Sequence, residues 1–264
     1  MKQGNLSKMH VRQGEQVHYN LRFDGQEINM NERIGKPFSM QWTGAIFCMN
    51  CGTKTKTSFS QGYCYRCFQS VPECAECVIR PELCEAHLGK GRDIVWEQEN
   101  HNQPHVVYLA ATDTIKVGIT RKTNIFTRWI DQGAKSTLIF AETPNRYQAG
   151  LIEVALKDFL TDKTNWRNML MDKTSLFTDL IEEKWRVAEE LPRDISDFVT
   201  EDEQVHHFNY PVLSYPTKVN SINLEKEIQF TRNLVGIRGQ YLIFDDGNVI
   251  NFRKYGGYNV IIED

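Results

Sequence analysis

Apolar and polar residues alternate with period two at both ends of the chain, and with a period near 3.6 through parts of its middle. Near the N-terminus VHYNLRF (17–23) and QEINMN (26–31) read as strands joined at Asp24-Gly25, a favoured hairpin turn. PFSMQWTGAIF (37–47) reads as a further strand pair. Near the C-terminus QYLIF (240–244) and NVINFR (248–253) flank Asp245-Asp246-Gly247, and YNVIIED (258–264) follows a Gly256-Gly257 turn. The hairpins look alike, Leu21-Arg22-Phe23-Asp24-Gly25 beside Leu242-Ile243-Phe244-Asp245-Asp246-Gly247. We read this as the common look of a DG hairpin more than as a worn repeat. Both termini are expected in one small β module.

The middle changes character. HVVYLAA (105–111) and TIKVGIT (114–120) are apolar, β-branched runs joined at Thr112-Asp113, a hairpin signal. Residues 124–132 predict a helix with Ile125, Phe126, Trp129 and Ile130 on one side and Gly133 as the stop. STLIFAE (136–142) predicts a strand. A helix over 146–160 would bury Ile152, Ala155, Leu156, Phe159 and Leu160. Another over 175–190 would turn Leu176, Leu180, Ile181, Trp185 and Ala188 inward and end before Pro192. Gly89–Pro104 is polar and turn-rich and reads as a linker. The expected fold class is α+β. Its parts are a β-rich segment 1–47, a metal-binding module 48–88, the linker 89–104, an α/β domain 105–205 with an acidic helical extension, and a β module 206–264 packed with 1–47.

All seven cysteines fall between Cys48 and Cys84. With His87 they form four C-x-x-C/H knuckles: Cys48/Cys51, Cys64/Cys67, Cys74/Cys77 and Cys84/His87. Two such knuckles close a tetrahedron, the arrangement of a structural zinc ion, so eight ligands imply two zinc ions. Sequential pairing gives a four-thiolate site and a site of three thiolates and an imidazole; spacing also permits an interleaved pairing. Disulfides or an iron–sulfur cluster are the rival uses of these thiols. A closed site holds structure and does no chemistry, and a module this poor in apolar residues needs it to fold.

Composition changes little: 41% hydrophobic and 25% charged residues in 264 are ordinary for a soluble globular protein. No run of about 18 apolar residues implies a membrane partner. Metal-spaced thiols without an export signal point to a reducing cytoplasm. The net charge of −3 is uneven. Residues 171–264 carry 10 Lys/Arg against 17 Asp/Glu, which leaves 31 − 10 = 21 against 34 − 17 = 17 for residues 1–170. A nucleic-acid partner therefore needs a local patch. His206-His207 has no ligand partner nearby in sequence and reads as a surface pair.

The order strand, turn, strand, helix, strand, helix over 105–160 resembles the GIY-YIG nuclease domain. Val106-Val107-Tyr108 stands at the first motif and Lys116-Val117-Gly118 at the second, with Arg128 and Glu153 at the positions of the family's arginine and metal-binding glutamate. The glycine and isoleucine of the first motif and the tyrosine of the second are replaced, and the loop between the strands is short. The resemblance implies a magnesium ion at Glu153 for the leaving oxygen, and Arg128 on the phosphate. It gives Tyr108 with Lys116 the task of relaying a proton or orienting water. Arg121 and Lys122 would hold the backbone. Read structurally, Tyr108 is a core tyrosine, Glu153 pairs with Lys157, and Arg128 pairs with Asp131 or stacks on the Trp129 ring.

The whole chain also resembles an uncharacterised bacterial family, domain of unknown function 2797. The motifs are C-G-x-K-T-K-x-S-F-x-Q-G-Y-C-Y-x-C (Cys51–Cys67), C-x-x-C-x-x-x-P-E-x-C (Cys74–Cys84), K-V-G-I-T-R (Lys116–Arg121), R-W-I-D-Q-G-A (Arg128–Ala134), P-N-R-Y-x-A-G-x-I-E (Pro144–Glu153) and T-N-W-R (Thr164–Arg167). That resemblance implies no activity. Arg146, Asn165, Trp166 and Arg167 are candidates for phosphate and base contacts, with helix capping and rim packing as the plain alternative. The expected function is nucleic-acid binding, RNA or DNA, with a phosphodiesterase site; a catalytically inactive, zinc-stabilised RNA/DNA-binding or protein-interaction scaffold is the alternative.

Overall fold

The computed structural model describes residues 1–23, 26–161, 163–173 and 179–263. In chain order the early strands are β1 (Lys2–Asn5), β2 (His10–Arg12), β3 (His18–Phe23), β4 (Gln26–Asn29), β5 (Pro37–Phe47) and β6 (Lys54–Thr55). Helices α1 (Tyr65–Ser70) and α2 (Ile94–Asn100) precede β7 (His105–Ala111) and β8 (Ile115–Arg121). Then come α3 (Ile125–Asp131), β9 (Ser136–Thr143), α4 (Arg146–Leu156), α5 (Trp166–Leu170), α6 (Leu180–Ala188) and α7 (Arg193–Ser196). The last strands are β10 (His206–His207), β11 (Asn220–Ser221), β12 (Gln229–Arg238), β13 (Tyr241–Phe244), β14 (Asn248–Asn251) and β15 (Tyr258–Glu263). No helix among the described residues is long and apolar enough to cross a membrane. The Asp24-Gly25 turn and Leu176 lie outside the described residues.

The chain divides into two compact units. One comprises residues 1–69, 170–172 and 209–264. Its main sheet runs β1-β15-β5-β12-β13-β14-β11, with β6 on β5, so both ends of the chain share one sheet. Pairing is antiparallel except between β11 and β14. Phe38, Phe230 and Phe244 meet at its centre, with ring centroids 5.4–6.5 Å apart. A second sheet, β2-β3-β4, buries Tyr19, Leu21 and Ile28 on one face, and the paired His10, Asn20 and Asn29 share the other.

The other unit comprises residues 70–169 and 173–208. Its sheet is antiparallel, in the order β10-β9-β7-β8. β7 is central, and all seven of its residues are buried. Val107, Leu109 and Ala111 share a core with Ala149, Ile152 and Leu156 of α4 and with Leu180 and Val187 of α6. By strand alternation Val106, Tyr108 and Ala110 take the opposite face, where the Tyr108 ring lies 5.9 Å from that of Trp129 in α3. Eleven residues of isolated helix are marginal in water. Burying Ile152 and Leu156 completely supplies about 1.5–3 kcal/mol each, which is what holds α4.

Five expectations change here. Residues 37–47 form the single strand β5 in place of a strand pair. Residues 94–100, inside the expected linker, form α2, because the Asp93 side chain accepts from the Trp96 N–H and caps it. Helix α4 ends at Leu156 and leaves Phe159 exposed. Helix α6 packs Ile181 and Ala188 against the core as expected but buries Lys184 in place of Trp185; the Lys184 ammonium donates to the Ile139 and Asp202 carbonyls and to the Thr200 hydroxyl. His206 and His207 pair with β9 as β10, and the His206 ring packs 5.3 Å from Trp129.

Candidate functional site

Two groups of side chains among the described residues could hold a metal ion. The first is Cys48, Cys51, Cys64 and Cys67, all in the first unit. Each knuckle is shaped by local backbone bonds: the Gly52 N–H donates to the Cys48 carbonyl, and Phe59 and Tyr63 pair ahead of the second. Cys51 Sγ and Cys64 Sγ lie 3.8 Å apart. Tetrahedral thiolates on zinc, at about 2.3 Å each, sit about 3.8 Å apart, so the donor set fits. Hydrogen bonds from the Thr53 side chain and backbone pull the exposed Cys51 thiol down to about 6.

The second group is Cys77, Cys84, Glu97 and His101. It differs from the expected Cys74, Cys77, Cys84 and His87. His87 is exposed and stacks on Tyr147 with ring centroids 4.7 Å apart; Cys74 is buried outside the group. Glu97 and His101 are one helical turn apart, 2% and 5% exposed, so α2 delivers both to one point. His101 Nδ1 lies 2.5 Å from Glu97 Oε2 and 3.9 Å from Cys77 Sγ. The signal in the sequence was the Asp93 cap followed by Glu and His four apart; the polarity of 89–104 masked it. Cys84 is pulled down to about 4, chiefly by the hydrogen bond from Cys77, whose own thiol is pushed up. A thiolate, a second thiol, an imidazole and a carboxylate make a donor set for a borderline-soft divalent ion.

Of the candidate polar residues Arg146 borders this second group, with Arg128 and Glu153 acting on Arg146 and Tyr108 acting on Arg128. The Tyr108 hydroxyl is fully buried, accepts from Gln132 Nε2, and abuts Gly118: a Cβ there would lie 2.5 Å from the oxygen. Glycine is therefore required opposite Tyr108, its registered partner on β8. Arg128, partly buried, has its pKa raised first by the Tyr108 oxygen, then by hydrogen bonding to it, and further by Asp131 and Glu153. Glu153 is 13% exposed and 4.0 Å from Lys157, a long ion pair. Arg146 is pulled down by burial against the opposing pull of Cys77, Cys84 and Glu153. Its guanidinium donates to the Cys77 and Val78 carbonyls. Tyr108, Arg128, Arg146 and Glu153 thus form one electrostatic cluster.

The remaining candidates lie elsewhere. Lys116 is buried on β8, on the strand face of Gly118, and its backbone bridges Thr161. Arg121 donates to the Asn100 side chain, and Lys122 pairs with Glu142 at 2.6 Å. Asn165 caps α5 by accepting from the Arg167 and Asn168 N–H groups. The Arg167 guanidinium covers the Trp166 ring at 4.4 Å. These three residues line an open surface cavity of about 560 Å³ with Asp113, Thr114 and Lys163. His105, which no sequence pattern singled out, is fully buried. Its Nδ1 donates to the Gln103 carbonyl at 2.7 Å, its Nε2 has no partner, and burial pulls its pKa down to about 4.

Residues 35–260 match a protein family described as "Protein of unknown function (DUF2797)". No curated protein and no solved structure matches the chain.

Proposed function

The chain belongs to the DUF2797 family, and we propose that it is a zinc-containing nucleic-acid-binding protein whose second unit carries a GIY-YIG-like phosphodiesterase site. The observation that supports this most is the cluster of Arg128 with Tyr108 and Glu153, drawn from three separate elements of the sheet-and-helix unit. In this reading Arg128 grips a phosphate with its planar fork, held in place by the Tyr108 oxygen. Glu153 is the carboxylate for a magnesium ion, which when bound supplies Lewis-acid stabilisation of the leaving oxygen. Lys116 adds positive charge along the same strand face, and Arg121, Asn165, Trp166 and Arg167 offer further contacts to backbone and base. Arg146 serves the loop carbonyls and not the ligand. The two clusters hold zinc as structural ions in a cytoplasmic protein, consistent with thiols outside any disulfide.

One observation favours a second reading, binding without cleavage. Tyr108 is fully buried and its hydroxyl already accepts from Gln132 and faces Arg128. A buried phenol orients an arginine well and reaches a substrate poorly. The two readings part in one experiment: anisotropy of labelled single-stranded and duplex DNA and RNA over a salt series, followed by incubation with magnesium. Contact with three phosphates gives a log–log salt slope of roughly −2 to −3. Arg128→Ala should weaken binding about tenfold or more, and Glu153→Ala should stop magnesium-dependent cleavage while leaving binding intact. Binding without cleavage in the wild-type chain selects the second reading. No salt-dependent binding to any of the four ligands rejects both and leaves a protein-interaction scaffold.

A further inference from the structure

Helix α4 is fastened to the metal-bearing loop along one stripe. At its first residue, Arg146 donates through Nε to the Cys77 carbonyl at 2.9 Å and through a terminal nitrogen to the Val78 carbonyl at 2.8 Å. The Arg146 backbone N–H donates to the His101 carbonyl at 2.9 Å. One turn on, Gly150 approaches the loop so closely that a Cβ would lie 2.4 Å from the Glu82 nitrogen and 2.5 Å from the Pro81 carbonyl carbon. The next position on that stripe, at i, i+4, i+7, is Glu153. Cys77, Val78, Pro81, Glu82 and His101 are ligands of the second metal group or residues between them.

Of residues 72–88 only Cys74, Pro81, Cys84 and Ala86 are buried, too little apolar surface to form a core that holds the loop's shape. Residues 72–88 form only three-residue turns of helix, and Ile79 and Leu88 are 82% and 59% exposed. A segment without a core takes its conformation from whatever ties it together, here Cys77 and Cys84 in the loop with Glu97 and His101 of α2. On the adjoining face, about a quarter-turn round the helix, Ala149, Ile152 and Leu156 are fixed in the sheet core. The loop therefore sets the rotation and height of α4 from a second, adjoining side.

We propose that the ion held by Cys77, Cys84, Glu97 and His101 acts as a latch on α4, with Arg146 and Gly150 as positioning residues, so that occupancy of this centre sets where Glu153 stands relative to Arg128. The functional consequence rests on reading Glu153 and Arg128 as the phosphate site; the latch itself does not. Filling the centre makes the site competent, and emptying it releases the first two turns of α4.

The test is amide hydrogen exchange of the full chain, with metal content counted on the same samples. Cys84→Ser should lose one zinc equivalent, and amides 146–153 should exchange at least tenfold faster. Cys64→Ser, in the other cluster, should also lose one equivalent and leave those amides unchanged. Gly150→Ala should keep both ions yet loosen the same amides. Should Cys84→Ser fail to fold, graded chelation of the wild-type chain replaces it, and re-added zinc should restore protection. Cobalt in place of zinc gives a thiolate charge-transfer band. Arg146→Met should shift that band and Arg146→Lys should restore it in part, a response that a merely structural arginine would not produce. Unchanged exchange of 146–153 after loss of the second ion, or equal loosening in Cys64→Ser, overturns the latch. A wild-type chain that shows the exchange response but never binds nucleic acid sinks the phosphate-site reading and leaves the latch standing.

Discussion

The two cysteine clusters solve one problem in opposite ways. Cys48, Cys51, Cys64 and Cys67 close a ring of twenty residues from two local turns, with Cys51 exposed. Cys77 and Cys84 draw their other two partners from a helix, and three of the four residues are buried. The first cluster binds a short loop to itself. The second binds a coreless loop to α2, and through Arg146 and Gly150 the loop meets α4. A metal that closes a local ring contributes mainly the stability of that ring. A metal that joins elements across the fold contributes wherever those elements lead.

The largest test of this contrast removes a ligand. A structural zinc in small metal peptides carries roughly 10 kcal/mol or more of apparent binding energy near neutral pH. His101→Ala should therefore cost one metal equivalent and several kcal/mol of unfolding free energy in the four-stranded unit, read by calorimetry and elemental analysis. Cys67→Ser should cost an equivalent with little change in that unit's transition. Equal effects on that transition would erase the distinction drawn here.

The next test uses Gly150. In an ordinary helix Gly→Ala gains about 1 kcal/mol. At Gly150 the added carbon meets backbone at 2.4 Å, so the sign should reverse to a loss of about 1–3 kcal/mol. A stabilised Gly150→Ala in urea denaturation would mean that α4 and the loop do not bear on each other.

Third comes pH. His105 is fully buried with its pKa pulled from 6.5 to about 4 by desolvation. The unfolded chain binds the proton more readily, so this contribution is fully present above the unfolded pKa and is lost as pH falls from 6.5 toward 4. Between pH 8 and pH 5 the loss amounts to about 2 kcal/mol. His105→Leu should flatten that part of the stability–pH curve, measured at saturating zinc so that ligand protonation is held apart. An unaltered curve would remove His105 from the account.

The smallest effect sharpens the ligand assignment. His87 is exposed against Tyr147 and outside the group, so His87→Ala should leave metal content unchanged and cost within about 0.5 kcal/mol. Loss of an ion in that variant would restore the C-x-x-H knuckle as the ligand pair.

Much of this was legible in residue order. Apolar, β-branched runs located β7 and β8, which are buried almost throughout, and the 3.6 period located α4, because burial leaves a local signature. The first cluster could be read from its knuckles, since a C-x-x-C turn brings its sulfurs together within four residues. The tertiary structure alone decided the rest. Lys184 looks like a surface lysine until three acceptors from distant segments close around it. Glu97 and His101 look like linker polarity until Cys77 and Cys84 arrive from another part of the chain. Local patterns record which face of an element is dry. Which polar groups meet there depends on chain crossings, and those exist only once the fold is closed.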